Sequence, residues 1–401
     1  MKKPEIPFFK PTIEQEEIDE VVETLKSGWI GQGPKCEKFE EEFRSYIGSK
    51  YAISLNSCTA GLQLSLMALG IGRGDEVITT SLTFCSTVNA IVHTGASPVL
   101  SDIDPAALNL DPEKIEEKIT KRTKAIIPVH LYGCPADMKK IMSIAEKYHL
   151  YVIEDAAHAI ETIYQNQKIG TIGDAAVFSF YASKNISTGE GGMITTNHQK
   201  IAEKVKILRL HGLDKDAWKR YKTGEYKHYE CVLPGFKFNM TDIQASLGIR
   251  QLKKIEQWRC MRKEIVKIYN DLLNDLEEVT SIVKAGRDNP EDKVQAYHLY
   301  PIMVKNPQDR DKLLTYLQEE GIGVGVHFKP VHQHPYYAKI FKNKSYPTAE
   351  NAGSRLLSLP LFPTLRKEEA ERVVESVRAF FKRTSKNTRL ISSHPYPRPT
   401  L

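Results

Sequence analysis

The stretch FSFYASKNISTGEGG, residues 178–192, carries a single lysine from a strand-like apolar run into a loop of small residues. An unpaired ammonium group is costly to bury, because a low dielectric disfavours the charged form. A lysine kept neutral in a pocket can instead form a Schiff base with a carbonyl, and pyridoxal phosphate is the carbonyl cofactor most often held this way. Lys184 is therefore the candidate catalytic residue. A solvated lysine in a turn is the ordinary alternative, so the prediction depends on its neighbours.

A second strand-like run, LYVIEDAAH, ends on residues with compatible chemistry. The carboxylate of Asp155 could pair with a protonated pyridine nitrogen, which would keep the ring able to accept electrons from a substrate carbanion. His158 follows three residues later and could donate to a ring oxygen. Taken alone, the two residues also fit a helix N-cap and a hydrogen-bonded core histidine.

Two further segments could hold a phosphate group and an aromatic ring. LNSCTAGLQLSLMALG places Ser57, Cys58 and Thr59 at the start of an apolar helix, where backbone N–H groups and the helix dipole favour an anion. SLTFCSTVNA places Phe84 just after a strand, where its ring could stack on a flat cofactor. A helix start that binds nothing and a core phenylalanine are the ordinary interpretations. The ordered set of helix start, ring, carboxylate, imidazole, serine and lysine predicts one cofactor site.

Short apolar runs alternate with amphipathic helices from about residue 50 to residue 197, and these elements must position the site. Asp111 and Pro112 are predicted to begin one of the helices, and residues 136–147 form another. The alternation is typical of a mostly parallel sheet covered by helices on both faces, with ligands at the carboxyl ends of the strands. The predicted strands are DEVITTS, SPVLSDID, TKAIIPVHLYG, LYVIEDAAH, DAAVFSFY and GGMITTN.

The two ends of the chain have different patterns. A capping pattern at Thr12 and Gln15 predicts an N-terminal helix that ends at Gly28, with one apolar face formed by Ile13, Ile18, Val21, Val22 and Leu25. Beyond the middle of the chain, a smaller α+β lobe is predicted from QAYHLYPIMV as a strand, 310–320 as a helix, GIGVGVHF as a strand and KEEAERVVESVRAFFKR as the last helix. We therefore expect a large domain over 1–250, a small C-terminal domain over 251–383 and a flexible proline-containing tail over 384–401.

Composition excludes several classes of function. The formal charge of +6 is modest for 401 residues and no long basic run occurs, which disfavours a nucleic-acid binder. The first residues lack the apolar segment of a signal peptide, and no apolar run approaches the ~18 residues that span a bilayer. The six cysteines show no CxxC spacing, so we expect reduced thiols, no metal site and a cytoplasmic protein without membrane contact.

Four motifs resemble those of the DegT/DnrJ/EryC1/StrS family of pyridoxal-phosphate-dependent sugar aminotransferases: EDAAHA at 154–159, SFYASKN at 179–185, EGGM, and GFKFNMTDIQASLG at 235–248. The likeness extends from SGWIGQGP to SLPLFP at 358–363. LNSCTAG, GDEVIT, TSLTFCSTVNAI, RTKAIIPVHLYG and HFKPVHQHPYY are most similar to the branch of UDP-4-amino-4-deoxy-L-arabinose aminotransferases and spore-coat polysaccharide proteins, which act on UDP-linked 4-keto sugars.

The resemblance implies an α/β architecture of PLP fold type I, similar to aspartate aminotransferase. This fold has a mostly parallel seven-stranded sheet flanked by helices and a smaller C-terminal α+β domain. The resemblance also implies a homodimer in which both subunits contribute to each site. Some relatives replace the lysine with histidine and act as dehydratases, and the presence of Lys184 argues against that activity here.

The resemblance also assigns roles to the candidate residues. Lys184 would form the Schiff base, Asp155 would bind the pyridinium nitrogen, His158 would contact the phenolic oxygen and Phe84 would stack on the ring. The phosphate would be held by Ser179, Thr59 and the backbone of Cys58, and by Asn239 from the neighbouring subunit.

Aromatic, imidazole and guanidinium groups elsewhere are candidates for binding the substrates, because they can stack on a base, bond sugar hydroxyls or meet an anion. Each also has an ordinary structural interpretation. The candidates are Trp29, Arg209, His211, His327, His332 and Tyr336.

The resemblance implies amino transfer from L-glutamate to a nucleotide-linked keto sugar. The expected acceptor is a UDP-4-keto sugar, and the amino sugar would serve surface polysaccharide or glycan synthesis. Amination at C3 of a dTDP-linked keto sugar remains an alternative, as does a sugar dehydratase. A regulatory binding module would be expected to lack Lys184 or Asp155, and both are present. An α/β protein without the cofactor would show no visible absorbance band.

Overall fold

The computed structural model describes residues 5–214, 229–284 and 293–392. The strands of the first half of the chain are β1 (Tyr51–Leu55), β2 (Glu76–Thr80), β3 (Ser97–Ser101), β4 (Thr123–Ile127), β5 (Tyr151–Asp155), β6 (Ile163–Tyr164), β7 (Gln167–Lys168), β8 (Ala175–Ser179) and β9 (Gly192–Thr196). The helices that accompany them are α1 (Gln15–Ser27), α2 (Pro34–Ile47), α3 (Cys58–Ala68), α4 (Cys85–His93), α5 (Met138–Tyr148) and α6 (Gln199–Leu208).

Seven of these strands form the central sheet, in the spatial order β1-β9-β8-β5-β4-β2-β3. The pairs between β8 and β3 are parallel, and only β9 runs antiparallel to its two neighbours. The prediction of a mostly parallel seven-stranded sheet is confirmed. One of its members, β1, formed by YAISL, was not predicted from the sequence.

Alternate residues of the strands enter two separate hydrophobic cores, one on each face of the sheet. Ile78 and Val152 lie in the core beneath α2 and α5, whereas Val77 and Ile153 lie in the core beneath α3 and α6. Strands buried on both faces read as continuous apolar runs, which is why the pattern identified them. At Gly61 an added Cβ would lie 2.4 Å from Val177 Cγ1, so the glycine allows α3 to pack closely on β8.

The second half of the chain supplies the remaining helices and strands. Its helices are α7 (Asp242–Leu252), α8 (Ile255–Leu273), α9 (Pro307–Glu319), α10 (Pro335–Ile340), α11 (Pro347–Arg355) and α12 (Lys367–Ser392). Its strands are β10 (Val279–Ser281), β11 (Lys293–Val294), β12 (Tyr300–Val304) and β13 (Leu356–Leu359). The order β10-β12-β13 gives an antiparallel sheet, and β11 joins β6 and β7 in a separate short sheet.

Two elements predicted from the sequence are wrong, one in each half of the chain. GIGVGVHF does not form a strand, because it makes only isolated bridges at Ile322 and Gly325. A Cβ on Gly323 would lie 2.3 Å from the backbone nitrogen of Phe8, so the segment is held against the N-terminal residues rather than in a ladder. Asp111 and Pro112 begin no α-helix, and two short 3₁₀ turns follow instead.

Helix α1 begins later than predicted and buries the opposite face. Its N-cap is Glu14 rather than Thr12. Glu17, Glu20 and Thr24 are buried, whereas the side chains of Ile18, Val22 and Leu25 are 46%, 39% and 52% exposed. The buried carboxylates are neutralised by cations of α7 and its neighbours. Arg250 and Lys35 contact Glu20, and Lys254 lies 2.9 Å from Glu17.

The division at residue 250 remains a prediction. Of the predicted flexible tail, residues 384–392 belong to α12, and residues 393–401 lie outside the described residues. Among the contacts that cross the predicted boundary, Ile6 donates to the Gly321 carbonyl at 2.9 Å and accepts from Gly323 N at 2.8 Å. The N-terminal segment is therefore attached to the smaller lobe. Over the described residues, no helix is both long enough and apolar enough to cross a bilayer.

Candidate active site

A cavity of about 550 Å³ opens at the carboxyl ends of the central strands, the edge at which the sequence predicted ligand binding. It brings together eight of the candidate residues: Cys58, Thr59, Phe84, Asp155, His158, Ser179, Lys184 and His327. These residues come from six separate segments of the chain. The strand ends and helix starts of the sheet therefore converge on one site.

Lys184 lies in the loop between β8 and β9, where its backbone N–H donates to the Tyr181 carbonyl at 2.8 Å. Burial lowers the pKa of its ammonium group to about 8, although the nearby Cys58 and Asp155 raise it. A lysine with this pKa is partly neutral near physiological pH. The site therefore meets the first requirement for a nucleophilic amine.

Asp155 is the last residue of β5 and its carboxylate is buried. Thr87 Oγ1 donates to Oδ2 at 2.8 Å, and the Ala157 N–H donates to Oδ1 at 3.2 Å. Burial raises the pKa of Asp155, while these two hydrogen bonds and Lys184 lower it. Thr87, on α4, was not identified from the sequence. It lies 68 residues from Asp155, and no motif connects the two.

The hydrogen bonding of His158 fixes its neutral tautomer. The Tyr132 backbone N–H donates to Nδ1 at 3.2 Å, so the ring proton must be on Nε2. Burial lowers the pKa of His158 well below its usual value, and Lys184 and His327 lower it further. His158 is therefore a neutral N–H donor facing the cavity.

His298 also lines the cavity, and the sequence analysis missed it. The Asn185 amide donates to Glu161 Oε2 at 2.8 Å and to the Ala296 carbonyl at 3.2 Å, so its oxygen faces His298 Nδ1 at 2.9 Å. Nδ1 of His298 therefore carries the proton and Nε2 is a bare acceptor. The rings of His298 and His158 lie 4.3 Å apart. One ring thus presents a donor, and the other an acceptor. The only signal in the sequence is a histidine just before β12.

The start of α3 is the candidate phosphate site. Ser57 is the N-cap, and its hydroxyl accepts from Ala60 N at 3.1 Å. A Cβ on Gly192 would lie 2.5 Å from the carbonyl carbon of Ser57 and 2.6 Å from Cys58 N. Because Gly192 has no side chain, the first residue of β9 can lie close to the start of α3. Ser179, at the end of β8, lines the same part of the cavity.

Aromatic rings form the other walls. Phe84 is 56% exposed to the cavity, and its ring lies 5.8 Å from that of Phe328. His327 stacks on Phe8 with a centroid separation of 5.3 Å and an interplanar angle of 14°. A flat cofactor or sugar ring would meet apolar faces on this side.

Several predicted residues do not line this cavity. Arg209 was a candidate for substrate binding, but its guanidinium is buried against Glu40 and donates to the Ser54 carbonyl at 2.8 Å. His332 lies outside the cavity, with Nε2 3.0 Å from Glu350. The remaining candidates also lie outside the cavity of the single chain: Trp29, His211, Tyr336 and Asn239.

Comparison with known proteins agrees with this geometry. The family model described as the DegT/DnrJ/EryC1/StrS aminotransferase family matches residues 11–378. The protein MJ1066 of Methanocaldococcus jannaschii is 53% identical over 93% of this chain and 97% of its own length. The spore coat polysaccharide biosynthesis protein SpsC of Bacillus subtilis is 47% identical over 94% of this chain and 97% of its own length.

Solved structures give the same result. Spr1654 of Streptococcus pneumoniae in its PMP form superposes with a TM-score of 0.87 at 33% identity, over 94% of this chain and 99% of that one. Its PLP form has also been solved. PseC of Helicobacter pylori, an aminotransferase involved in the biosynthesis of pseudoaminic acid, has a TM-score of 0.88 at 30% identity over 94% of this chain and all of PseC. The chain therefore belongs to the DegT/DnrJ/EryC1/StrS aminotransferase family, has PLP fold type I and is a pyridoxal-phosphate-dependent aminotransferase.

Proposed function

We propose that this chain transfers the amino group of L-glutamate to a nucleotide-linked keto sugar, with a UDP-linked 4-keto sugar as the preferred acceptor. The observation that carries the proposal is the single cavity that joins Lys184, Asp155, His158 and the start of α3. Its volume of about 550 Å³ lies within the range for cofactor and small-molecule sites, roughly 300–1,000 Å³.

The residues of the cavity fit pyridoxal phosphate. Asp155 is a buried carboxylate whose pKa is raised by burial, and a pyridinium N–H would give it a positive partner. His158 offers Nε2–H to an oxygen acceptor, and the first turn of α3 offers backbone N–H groups to a phosphate. When bound, the cofactor supplies an exchangeable carbonyl and a ring that accepts electrons.

Lys184 would act as both the attachment point and the base. Because its pKa is about 8, half of the Lys184 amines are neutral at that pH. The neutral Nζ can take a proton from the substrate carbon and return it. Phe84 and Phe328 would exclude water from one side of the reacting atoms. Thr87 would hold the Asp155 carboxylate in a fixed position.

Support for the acceptor comes from the relatives and from the walls of the cavity. SpsC is named for spore coat polysaccharide biosynthesis and PseC for pseudoaminic acid biosynthesis, so both act in the synthesis of complex sugars. In this chain, Phe8, His327 and Phe328 line the cavity and could stack on a sugar or base. An amino sugar for a surface polysaccharide or glycan is the corresponding product.

A homodimer is part of the proposal. Helix α1 and the loop after it expose the apolar side chains of Ile18, Val22, Leu25, Trp29 and Ile30. The Asn239 Nδ2 group donates one hydrogen bond to the Met240 carbonyl at 3.2 Å and carries a second N–H that a phosphate oxygen could accept. Burying this apolar surface against a second copy would remove it from water. Asn239 would then reach the phosphate of the neighbouring subunit.

The test is a substrate panel. Purified enzyme, pyridoxal phosphate and L-glutamate are incubated with UDP- and dTDP-linked 3-keto and 4-keto sugars, and the product is analysed by mass and by the NMR position of the new amine. We expect 2-oxoglutarate and a 4-amino UDP-sugar. A 3-amino dTDP-sugar would replace the preferred acceptor with the alternative. A deoxygenated sugar without nitrogen would contradict amino transfer altogether.

A further inference from the structure

A second, much smaller cavity lies directly behind Lys184. Its volume is about 20 Å³, and Phe9, Ser183, Lys184, His298 and Leu361 line both this cavity and the large one. The small cavity is also lined by the N-terminal segment, the loop after Lys184, α7, α8 and the segment after β13. It is therefore adjacent to the catalytic lysine but outside the space expected for the cofactor and substrate.

Three buried polar atoms without a hydrogen-bond partner belong to residues that line this one cavity. They are Thr12 Oγ1, Gln251 Nε2 and Arg262 Nη1, each unpartnered among the described residues. Gln251 and Arg262 are each 2% exposed. A buried polar atom without a partner costs roughly 1–3 kcal/mol, so three on one cavity indicate a shared hydrogen-bonding partner.

The other polar side-chain atoms of Gln251 and Arg262 already have hydrogen-bond partners. Gln251 Oε1 accepts from Ser187 N at 2.8 Å, so its amide nitrogen is the free end. Arg262 donates through Nε and Nη2 to the Ala296 carbonyl at 3.4 and 3.2 Å, and Nη2 also pairs with Glu161. The cavity is thus a built polar site rather than a packing defect.

We propose that this cavity is a binding site for one structural water molecule. The volume of about 20 Å³ accommodates a single water, which needs roughly 10–15 Å³ by this measure. The water accepts hydrogen bonds from Gln251 Nε2 and Arg262 Nη1. It donates one to Thr12 Oγ1, and the bare Nε2 of His298 is an acceptor on the same wall. Its coordination is then complete.

Local charge favours water over an anion. The positive charge of Arg262 is compensated by Glu161, with which it is paired. Two lysines also line the cavity: burial shifts Lys184 towards its neutral form, and Lys10 is exposed to solvent. An anion would therefore leave an uncompensated negative charge in a buried site, whereas a water would not.

The bound water connects three segments around the catalytic lysine. Thr12 belongs to the N-terminal segment whose Phe8 and Phe9 line the large cavity, Gln251 holds the loop that carries Lys184, and Arg262 comes from α8. The water therefore keeps the lysine loop and the N-terminal wall in register. This role is independent of which sugar is the acceptor.

The test is crystallography of the holoenzyme, grown in chloride and in bromide. We expect one water peak within about 3 Å of Gln251 Nε2 and Arg262 Nη1, and no anomalous bromide signal at that place. Thr12→Ser, which retains the hydroxyl, should keep the peak. Gln251→Leu, which removes a donor and places methyl groups on the cavity wall, should abolish it.

Three results would overturn the proposal: an empty cavity in the wild-type protein, a bromide peak between the two donors, or an unchanged water in Gln251→Leu. If Gln251→Leu failed to fold, the first two results would still decide. Activity is not the readout, so failure of the sugar proposal in the substrate panel leaves this test unaffected.

Discussion

At the scale of single residues, the protonation state of Lys184 controls the chemistry. Its amine attacks only when neutral, and burial lowers its pKa to about 8. We predict that acetylation of Lys184 in the apoprotein, followed by peptide mass spectrometry, will rise with pH to half its maximal rate near pH 8. A midpoint near the usual lysine value of about 10.4 would mean that burial does not act as described.

The same measurement can separate burial from charge. The carboxylate of Asp155 raises the lysine pKa, so Asp155→Asn should shift the midpoint to lower pH. Lys339 is a convenient internal reference, because it lies on α10 with an exposed side chain and Asp155→Asn should leave its labelling unchanged. A midpoint that rises in Asp155→Asn would contradict the assignment of charges.

The residues that the sequence identified lie next to the elements that present them. Asp155 and Ser179 end strands, and Thr59 lies in the first turn of a helix, so an elementary pattern placed them at one edge of the sheet. His298 and Thr87 were missed because their contacts are made at a distance along the chain. The His298–Asn185 hydrogen bond joins residues 113 positions apart, and no local pattern encodes it.

At the scale of elements, the approach of β9 to the start of α3 determines the phosphate site. Gly192→Ala would place a Cβ 2.5–2.7 Å from three backbone atoms of Ser57 and Cys58, which cannot move aside as a flexible side chain could. We predict that the helix start shifts, that affinity for pyridoxal phosphate falls at least about tenfold, and that stability falls by about 1–3 kcal/mol.

Absorbance titration with the cofactor and thermal unfolding of the apoprotein measure the two effects. Gly72→Ala is the matched control, because its added Cβ would lie 3.4 Å from the Thr94 carbonyl oxygen, a distance close to ordinary packing. The control should change neither quantity appreciably. Cofactor affinity equal to wild type in Gly192→Ala would show that the phosphate does not depend on this helix start.

Elements were predicted well where burial alone decides and poorly where a particular contact decides. Most of the central strands are buried on both faces and read as apolar runs, although β1 was not predicted. The orientation of α1 could not be predicted from its apolar pattern, because its buried face is made of Glu17 and Glu20, whose partners Lys254 and Arg250 lie more than 200 residues away. Helical periodicity gives the position of an apolar face. It does not tell whether that face packs on the core of its own chain or on another chain.

At the scale of the whole molecule, the single chain contains the lysine and the carboxylate but leaves Asn239 outside the cavity. If Asn239 serves the neighbouring subunit, then Lys184→Ala and Asn239→Ala damage different sites when they are carried on different chains. A mixed dimer would have one intact site and one doubly altered site. Random mixing of two inactive variants should then restore about a quarter of wild-type activity.

Co-expression with two affinity tags, followed by purification of the doubly tagged dimer, isolates the mixed species. The pure mixed dimer should show about half of wild-type activity, because one of its two sites is intact. Lys184→Ala mixed with Asp155→Ala is the control, since both residues line one cavity of one chain and each site stays defective. Activity no higher than that control would place Asn239 outside the partner's site. If the wild-type protein eluted as a monomer, the proposal of a shared site would be wrong, and the apolar side chains of α1 would be exposed to solvent.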